Sequence, residues 1–383
     1  AAATTTAAAV LVAAPSPSAA ATATATATSA AAAASSSSSS ASSAAHFLQK
    51  VTVEQALKSQ IWREIVTIGE HESVANALKK LHEHRILSMP VISTENKTNT
   101  QYKGVISLGD VIYEIVFHPS MFRSDDEFKT LSGTQFIQEI EKSILSKPVS
   151  LILGHRPESQ ELWVFKPQDR LSRVAEYFAR GAHRVMVKSN GHYGPRIFSQ
   201  SDCVRYIAQH LHDYLVEPIV RLSVEELGMV KGPESVITMS TKDTALSGFR
   251  KLMEIQWTRT ALNKTGVWDL SALPIINERG RVVGTLSQSD LRGITTHTLP
   301  LLMKPVMDFR NALSGGKLAP QVKVSPSDTL MSAISKIVKS RIHRAWIEDD
   351  EGRVVGAVSL TDILARFSPH DFSFLSYYQR SRL

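Results

Sequence analysis

Four times along this chain a serine is followed three residues later by an aspartate, each time behind a short apolar run. The pairs are Ser107 and Asp110, Ser199 and Asp202, Ser287 and Asp290, and Ser359 and Asp362. The runs are Val105-Ile106, Ile197-Phe198, Gly284-Thr285-Leu286 and Ala357-Val358. A strand ending in Ser-x-x-Asp that opens a helix sets a hydroxyl and a carboxylate beside the free N–H groups of the first helical turn. Such a pair caps the helix. It also suits a ribose, because one carboxylate accepts from two sugar hydroxyls at once. For one copy the cap is the plainer reading; four copies in register give nucleotide binding its weight.

Two His-Arg pairs, His183-Arg184 and His343-Arg344, stand at the start of apolar strands. Arginine offers a planar fork of donors and a protonated histidine adds charge, so converging pairs suit phosphate. The plainer reading is a polar strand start at the surface. A third pair, His84-Arg85, lies three residues out of register when Pro90 is aligned with Pro274. Its place in repeat one falls to Leu87 and Ser88, and in repeat three to Ser271 and Ala272. His84-Arg85 is therefore expected at a helix end, where cations suit the dipole.

The elements that must hold these residues repeat too. From Met186, Pro274 and Trp346 to the following serine is thirteen residues each time, and from Pro90 seventeen. The polar insertion Ser93–Thr100 accounts for the excess and belongs in a surface hairpin. Amphipathic helices precede these strands: Val74, Ala77, Leu78 and Leu81; Leu171, Val174, Ala175 and Phe178; Leu246, Phe249 and Met253; Leu330, Ala333, Ile334 and Ile337. Short strands lead into them at 65–68, 162–165, 236–239 and 322–324. The unit is strand, helix, strand, strand, helix, four times over. One unit cannot bury both its helices and its sheet, so units are expected to pair.

This pattern resembles the cystathionine-beta-synthase (CBS) domain. Four repeats, with Ser271-Ala272-Leu273-Pro274 in the third and His-Arg in the second and fourth, resemble the gamma subunit of the AMP-activated and sucrose-nonfermenting-related kinase family, in its plant gamma-like branch. The resemblance covers about residues 49–367. It implies an α/β (α+β) fold of two Bateman modules, each a pair of CBS repeats, in a pseudo-symmetric disc. The modules fall at 46–211 (repeats 51–117 and 161–211) and 236–368 (repeats 236–294 and 321–367). A linker spans 212–235 and a tail 369–383. The implied ligands are AMP, ADP and ATP. Their contacts would come from the four Ser-Asp pairs, His183, Arg184, Ser271, His343, Arg344 and Thr361. The implied partners are a kinase catalytic (alpha) subunit and a beta subunit. Animal gamma subunits have an arginine where Leu87 stands and a lysine where Ser201 stands, so two phosphate-facing cations are missing. They also have an arginine where Asp202 stands.

Composition narrows the rest. The charge of +7, from 43 Lys plus Arg against 36 Asp plus Glu, comes without a basic run interleaved with aromatics, so nucleic acid is not expected. No stretch has the length of a membrane span. One cysteine, Cys203, excludes an intramolecular disulfide and suits a reducing compartment, the cytoplasm or nucleus. Phosphate loops, His-Glu-x-x-His and Gly-x-Ser-x-Gly are absent, so no enzyme motif survives, and the thirteen histidines are too scattered for a metal site. Residues 1–45 carry no charge and are almost wholly Ala, Ser and Thr, a composition expected to stay disordered. A transit peptide would carry arginines, yet the first cation is Lys50. Ser223-Val224-Glu225-Glu226 reads as a capping box, and 136–145 as a connector helix.

Overall fold

The computed structural model describes residues 40, 42–58, 64–94, 101–118, 133–155, 159, 162–189, 194–262, 271–318 and 321–368. Trp62, Trp268, the insertion at 95–100, residues 1–39 and the tail from 369 lie outside the described residues.

The chain enters through helix α1 (42–50) and helix α2 (Val53–Lys58). Repeat one follows as β1 (Ile68–Gly69), α3 (Val74–Glu83), β2 (Ser88–Ile92), β3 (Tyr102–Ser107) and α4 (Leu108–Val116). A connector helix, α5 (Gly133–Ile140), runs on as a π-helical turn to Leu145. Repeat two is β4 (Val164–Phe165), α6 (Leu171–Ala179), β5 (Arg184–Val187), β6 (Arg196–Ser199) and α7 (Gln200–Ala208), followed by the short α8 (Glu217–Val220). Repeat three is β7 (Met239–Ser240), α9 (Ala245–Leu262), β8 (Ala272–Ile276) and β9 (Val282–Ser287). Helix α10 (Val306–Ser314) leads to repeat four: β10 (Lys323–Val324), α11 (Leu330–Ser340), β11 (Arg344–Glu348), β12 (Val354–Ser359) and α12 (Leu360–Arg366).

Each repeat builds a three-stranded sheet whose middle strand pairs parallel with the first and antiparallel with the third. The parallel partner needs a crossover, and the amphipathic helix supplies it. The leading strands are only two residues long and lie closer to their helices than the apolar runs suggest. In repeats one and three the reason is proline. Met186 N–H donates to Trp163 O at 2.8 Å in repeat two. Pro90 and Pro274, at the same place, have no N–H to give. Parallel pairing there begins one residue later, at Val91 and Ile275.

Repeat three departs from the expected unit. Its Ser-x-x-Asp opens only a 3₁₀ turn, Gln288–Leu291, because Arg292 is extended and Gly293 turns the backbone to φ 102°. A second 3₁₀ stretch, Thr296–Met303, carries Pro300 inside it. The first helix of repeat three, α9, is the longest described, running to Leu262. At the other end of the chain, the charge-free tract was expected to lack structure up to residue 45. Helix α1 is already formed at residue 42, and Ala44 and Ala45 are buried. Phe47 fixes it by packing on the rings of Tyr206 and His210, 6.3 and 5.4 Å away.

The helices make two large cores. One joins repeats two and four around Phe178, Phe198, Ile334 and Phe367, and it takes in α1 and the stretch Val216–Met229. The other joins repeats one and three around Leu78, Ile112, Phe136, Phe249 and Phe309. Full burial of each such side chain stabilises by about 1.5–3 kcal/mol. A smaller cluster, with Ala272, Val282, Trp346, Val354 and Ala357, lies between the sheets of repeats three and four. The Trp346 indole N–H donates to Thr285 Oγ1 there, at 2.8 Å.

The connectors cross between neighbours. Thr52, ahead of repeat one, bridges Arg170 of repeat two, and Pro148, ahead of repeat two, bridges Ser73 of repeat one. Ser223 and Thr329, and Pro305 and Thr244, repeat the exchange for repeats three and four. So connectors tie one to two and three to four, while cores tie one to three and two to four. The stretch 212–235 is no free tether: Val230 bridges Gly356, and a Cβ on Gly356 would lie 2.2 Å from Met229 O. That close approach requires glycine. The capping box in this stretch forms, with Ser223 N–H donating to Glu226 Oε2 at 2.7 Å.

Candidate functional site

All four Ser-Asp pairs form reciprocal capping boxes. In each, the serine N–H donates to the aspartate Oδ2, at 2.7, 2.8, 2.7 and 2.9 Å in chain order. The serine hydroxyl donates to the same oxygen. The cap thus uses one carboxylate oxygen and leaves Oδ1 to distinguish the sites.

Those second oxygens differ. Asp110 is buried, at 2% exposure. Asp202 Oδ1 accepts from Arg205, an exposed neighbour one turn along α7. Asp290 Oδ1 accepts from Arg310 Nε at 2.9 Å, and both side chains are largely enclosed. Asp362 is half-buried, and its bonds run to Ser359 alone. Its Oδ1 is aimed at no protein donor.

The strand register settles where the His-Arg pairs stand. Arg184 lies opposite Ser199 and Arg344 opposite Ser359, while Ser88 and Ala272 lie opposite Ser107 and Ser287. Leu87 and Ser88 therefore hold the His-Arg place in repeat one. His84 and Arg85 close helix α3 and are exposed, with Arg85 at φ 51°.

The two in-register pairs meet. The His343 imidazole is pushed down to about 4, first by burial and then by the nearby His183, Arg292, Arg184 and Arg344. His343 is nonetheless exposed to solvent. Like charges held this close disfavour the protonated ring, and an anion placed among them would reverse that. Ser289 Oγ lies 3.4 Å from His343 Nδ1. Arg344 donates to Ser271 Oγ at 3.1 Å and lies over the Trp346 ring, 5.6 Å from its centre. Repeats two, three and four thus all contribute to one basic cluster. Thr361 is placed elsewhere: it is buried, and its hydroxyl accepts from Gln200 Nε2 at 3.0 Å, across the contact of repeats two and four.

Sequence reasoning missed Arg292, Ser289 and Arg310. A signal for Arg310 existed. Val53, Val149, Val224 and Val306 each follow a Thr, Pro, Ser or Pro and each donate a backbone N–H to the turn before a repeat's first helix. Counting four residues on from each valine leads to Leu57, Leu153, Gly228 and Arg310. Cys203, at a helix start where a thiol pKa can fall, is instead fully buried, and burial raises its thiol well above the usual range.

The CBS domain model matches residues 57–116 and 318–368, the first and fourth repeats. Among curated proteins, the chain is 28% identical over 239 residues to the SNF1-related protein kinase regulatory subunit gamma-like PV42a of Arabidopsis thaliana. That match covers 57% of this chain and 67% of the relative. Identity to PV42b of the same plant is 23% over 361 residues, covering 79% and 91%. Among solved structures, the chain superposes on protein MJ1225 of Methanocaldococcus jannaschii. The TM-score is 0.56 at 15% identity, with 83% of this chain and 100% of that one covered. At that identity the likeness speaks for the fold, and the sheets and register extend it to repeats two and three.

Proposed function

We propose, on the premise that this is a CBS-domain protein homologous to SNF1-related kinase gamma-like subunits, that the chain is a non-catalytic regulatory subunit binding adenine nucleotides. Its partners would be a sucrose-nonfermenting-related kinase catalytic subunit and a beta subunit. The functional units are the modules 46–211 and 236–368. The cytoplasm, with the nucleus as a second address, is its expected place; no described helix is long and apolar enough to cross a membrane.

The observation that carries this reading is the gathering of His183, Arg184, Arg292 and Arg344 around His343. Three arginines with an uncharged imidazole make a basic cluster that a phosphate group would complete. The half-buried Asp362, with one oxygen uncommitted, stands in the first turn of α12, directly after the strand that pairs with the cluster: its serine, Ser359, lies opposite Arg344. The ribose receptor thus opens the helix that follows one strand, and the phosphate receptor starts the strand paired with it. Ser107, Asp110, Ser199, Asp202, Ser271, Ser287 and Asp290 stand in the same register, but Asp110 is buried and Asp202 and Asp290 are ion-paired, so Ser359 and Asp362 are the pair this reading relies on.

Affinity purification from native cells tests the partnership: a Ser/Thr kinase and a beta-type scaffold should come with the chain. Calorimetric titration with AMP, ADP and ATP tests the sites. A chain that purifies alone at every salt concentration would favour a stand-alone sensor. A second reading, a scaffold with disused sites, is favoured by the three engaged aspartates. No binding at millimolar nucleotide would select it.

A further inference from the structure

We propose that Arg310 shuts the third of the four Ser-Asp sites, its guanidinium standing where a ribose would otherwise sit, so that Arg310 decides which repeats take a nucleotide. The inference rests on the nucleotide reading above and specifies which sites that reading leaves open.

The geometry is that of a built-in occupant. After capping, Asp290 has one oxygen left, and Arg310 Nε donates to it at 2.9 Å. The two side chains are only 11% and 18% exposed. The guanidinium also presses close to strand β9: a Cβ on Gly284 would lie 2.5 Å from Arg310 Nη1. Glycine at 284 thus makes room for Arg310. Ribose hydroxyls are neutral donors. Displacing an enclosed guanidinium with them would strand a charge, which is strongly unfavourable. Arg205 on Asp202 is different, because it is 53% exposed and can swing into water.

The connectors show that the plug is particular to repeat three. Val306 N–H donates to Asp243 O, as Val224 N–H does to Asp328 O and Val149 N–H to Glu72 O. In that frame, Arg310 of repeat three corresponds to Leu153 for repeat one and Gly228 for repeat four. Leu153 Cδ1 would lie 3.2 Å from a Cβ on Gly104, so an apolar side chain covers the strand of repeat one. A Cβ on Gly228 would meet nothing within 4 Å. In repeat four the connector covers the matching glycine, Gly356, with the backbone of Met229 and sends no charged side chain to Asp362, whose bonds run to Ser359.

The test is calorimetric titration of the full chain with AMP, with thermal melting of each variant as the check on folding. Arg310→Met keeps the apolar stem and removes the donors; it should raise the stoichiometry by about one AMP per chain, with an apparent Kd in the millimolar range or tighter. Asp290→Asn in the otherwise unchanged chain should leave AMP affinity and stoichiometry as they were. Asp362→Asn should weaken AMP binding about tenfold or more. If Arg310→Met binds no more AMP than the parent, or Asp290→Asn weakens AMP about tenfold, repeat three was open and the inference fails while the nucleotide reading stands. If neither the parent nor Arg310→Met binds AMP, both fail. If Arg310→Met does not fold, Asp290→Asn, nearly isosteric, decides alone.

Discussion

Repeats two and four differ from repeats one and three mainly at their strand starts. The first pair carries His183-Arg184 and His343-Arg344; the second carries Leu87-Ser88 and Ser271-Ala272. Both pairs use the same sheet, the same register against the capping serine and the same helix-to-helix burial. The framework is therefore indifferent to the chemistry placed on it. Two residues per repeat, at the start of the middle strand, separate a basic cluster from an uncharged surface. The connectors add a second level of difference, because the residue four beyond the shared valine is Leu, Leu, Gly or Arg.

The sharpest test of that equivalence is in the cores. Phe178 belongs to the core of repeats two and four, Phe249 to that of one and three, and both are fully buried. Phe178→Ala and Phe249→Ala should each cost about 3–5 kcal/mol by denaturant titration. A loss below 1 kcal/mol at either position, on the scale of ordinary surface changes, would break the comparison. The chemical difference comes next. Arg184→Ala or Arg344→Ala should weaken binding of AMP, ADP or ATP about tenfold or more, since a charge-assisted bond contributes about 1.5–3 kcal/mol. Arg85→Ala should change little; equal losses at Arg85 and Arg344 would overturn the register argument.

The close approach at Gly356 predicts a loss of about 1–3 kcal/mol for Gly356→Ala, because Met229 O must move. Gly194, with nothing near its Cβ, should accept alanine with a change inside about 0.5 kcal/mol. The smallest effect is in pH. The His343 ring titrates at about 4 in the folded chain and near 6.5 when unfolded, so the unfolded chain binds the extra proton between those values. Stability should therefore fall as pH drops from 6.5 toward 4, and this fall should vanish in His343→Gln. Bound phosphate would raise the His343 value again, so AMP binding near pH 6 should take up protons, read as a buffer-dependent heat. Equal heats in buffers of different ionisation enthalpy would place phosphate away from His343.

The repeat was legible because its signals are local: thirteen residues between strand and serine, and apolar side chains at helical spacing. The His-Arg register was legible for the same reason, and the pairing of Arg184 with Ser199 and of Arg344 with Ser359 agrees with it. Distant relations were not legible. Nothing in the run around Phe178 says that it packs with repeat four, because apolar faces do not name their partners. Arg310 lies twenty residues from the aspartate it pairs with, on an element that looks like a connector. Thr361 was read from its motif, but the partner that claims its hydroxyl, Gln200, is 161 residues away. The start of α1 was hidden because Ala44 and Ala45 gain their place from Phe47 and Leu48, which follow them.

The crossed tying of the repeats bears on how the chain is made. The core of repeats two and four holds both Leu48 and Phe367, near the two ends of the described chain. A ribosome delivers the first long before the second. Until the last repeat emerges, α1, α6 and α7 have no complete core to close, and their apolar faces wait in the open. Contacts this far apart in sequence slow folding and leave such surfaces exposed to other chains. The growing polypeptide should therefore depend on chaperone holding through most of its synthesis, and the core of repeats two and four should become protease-resistant only after the core of repeats one and three.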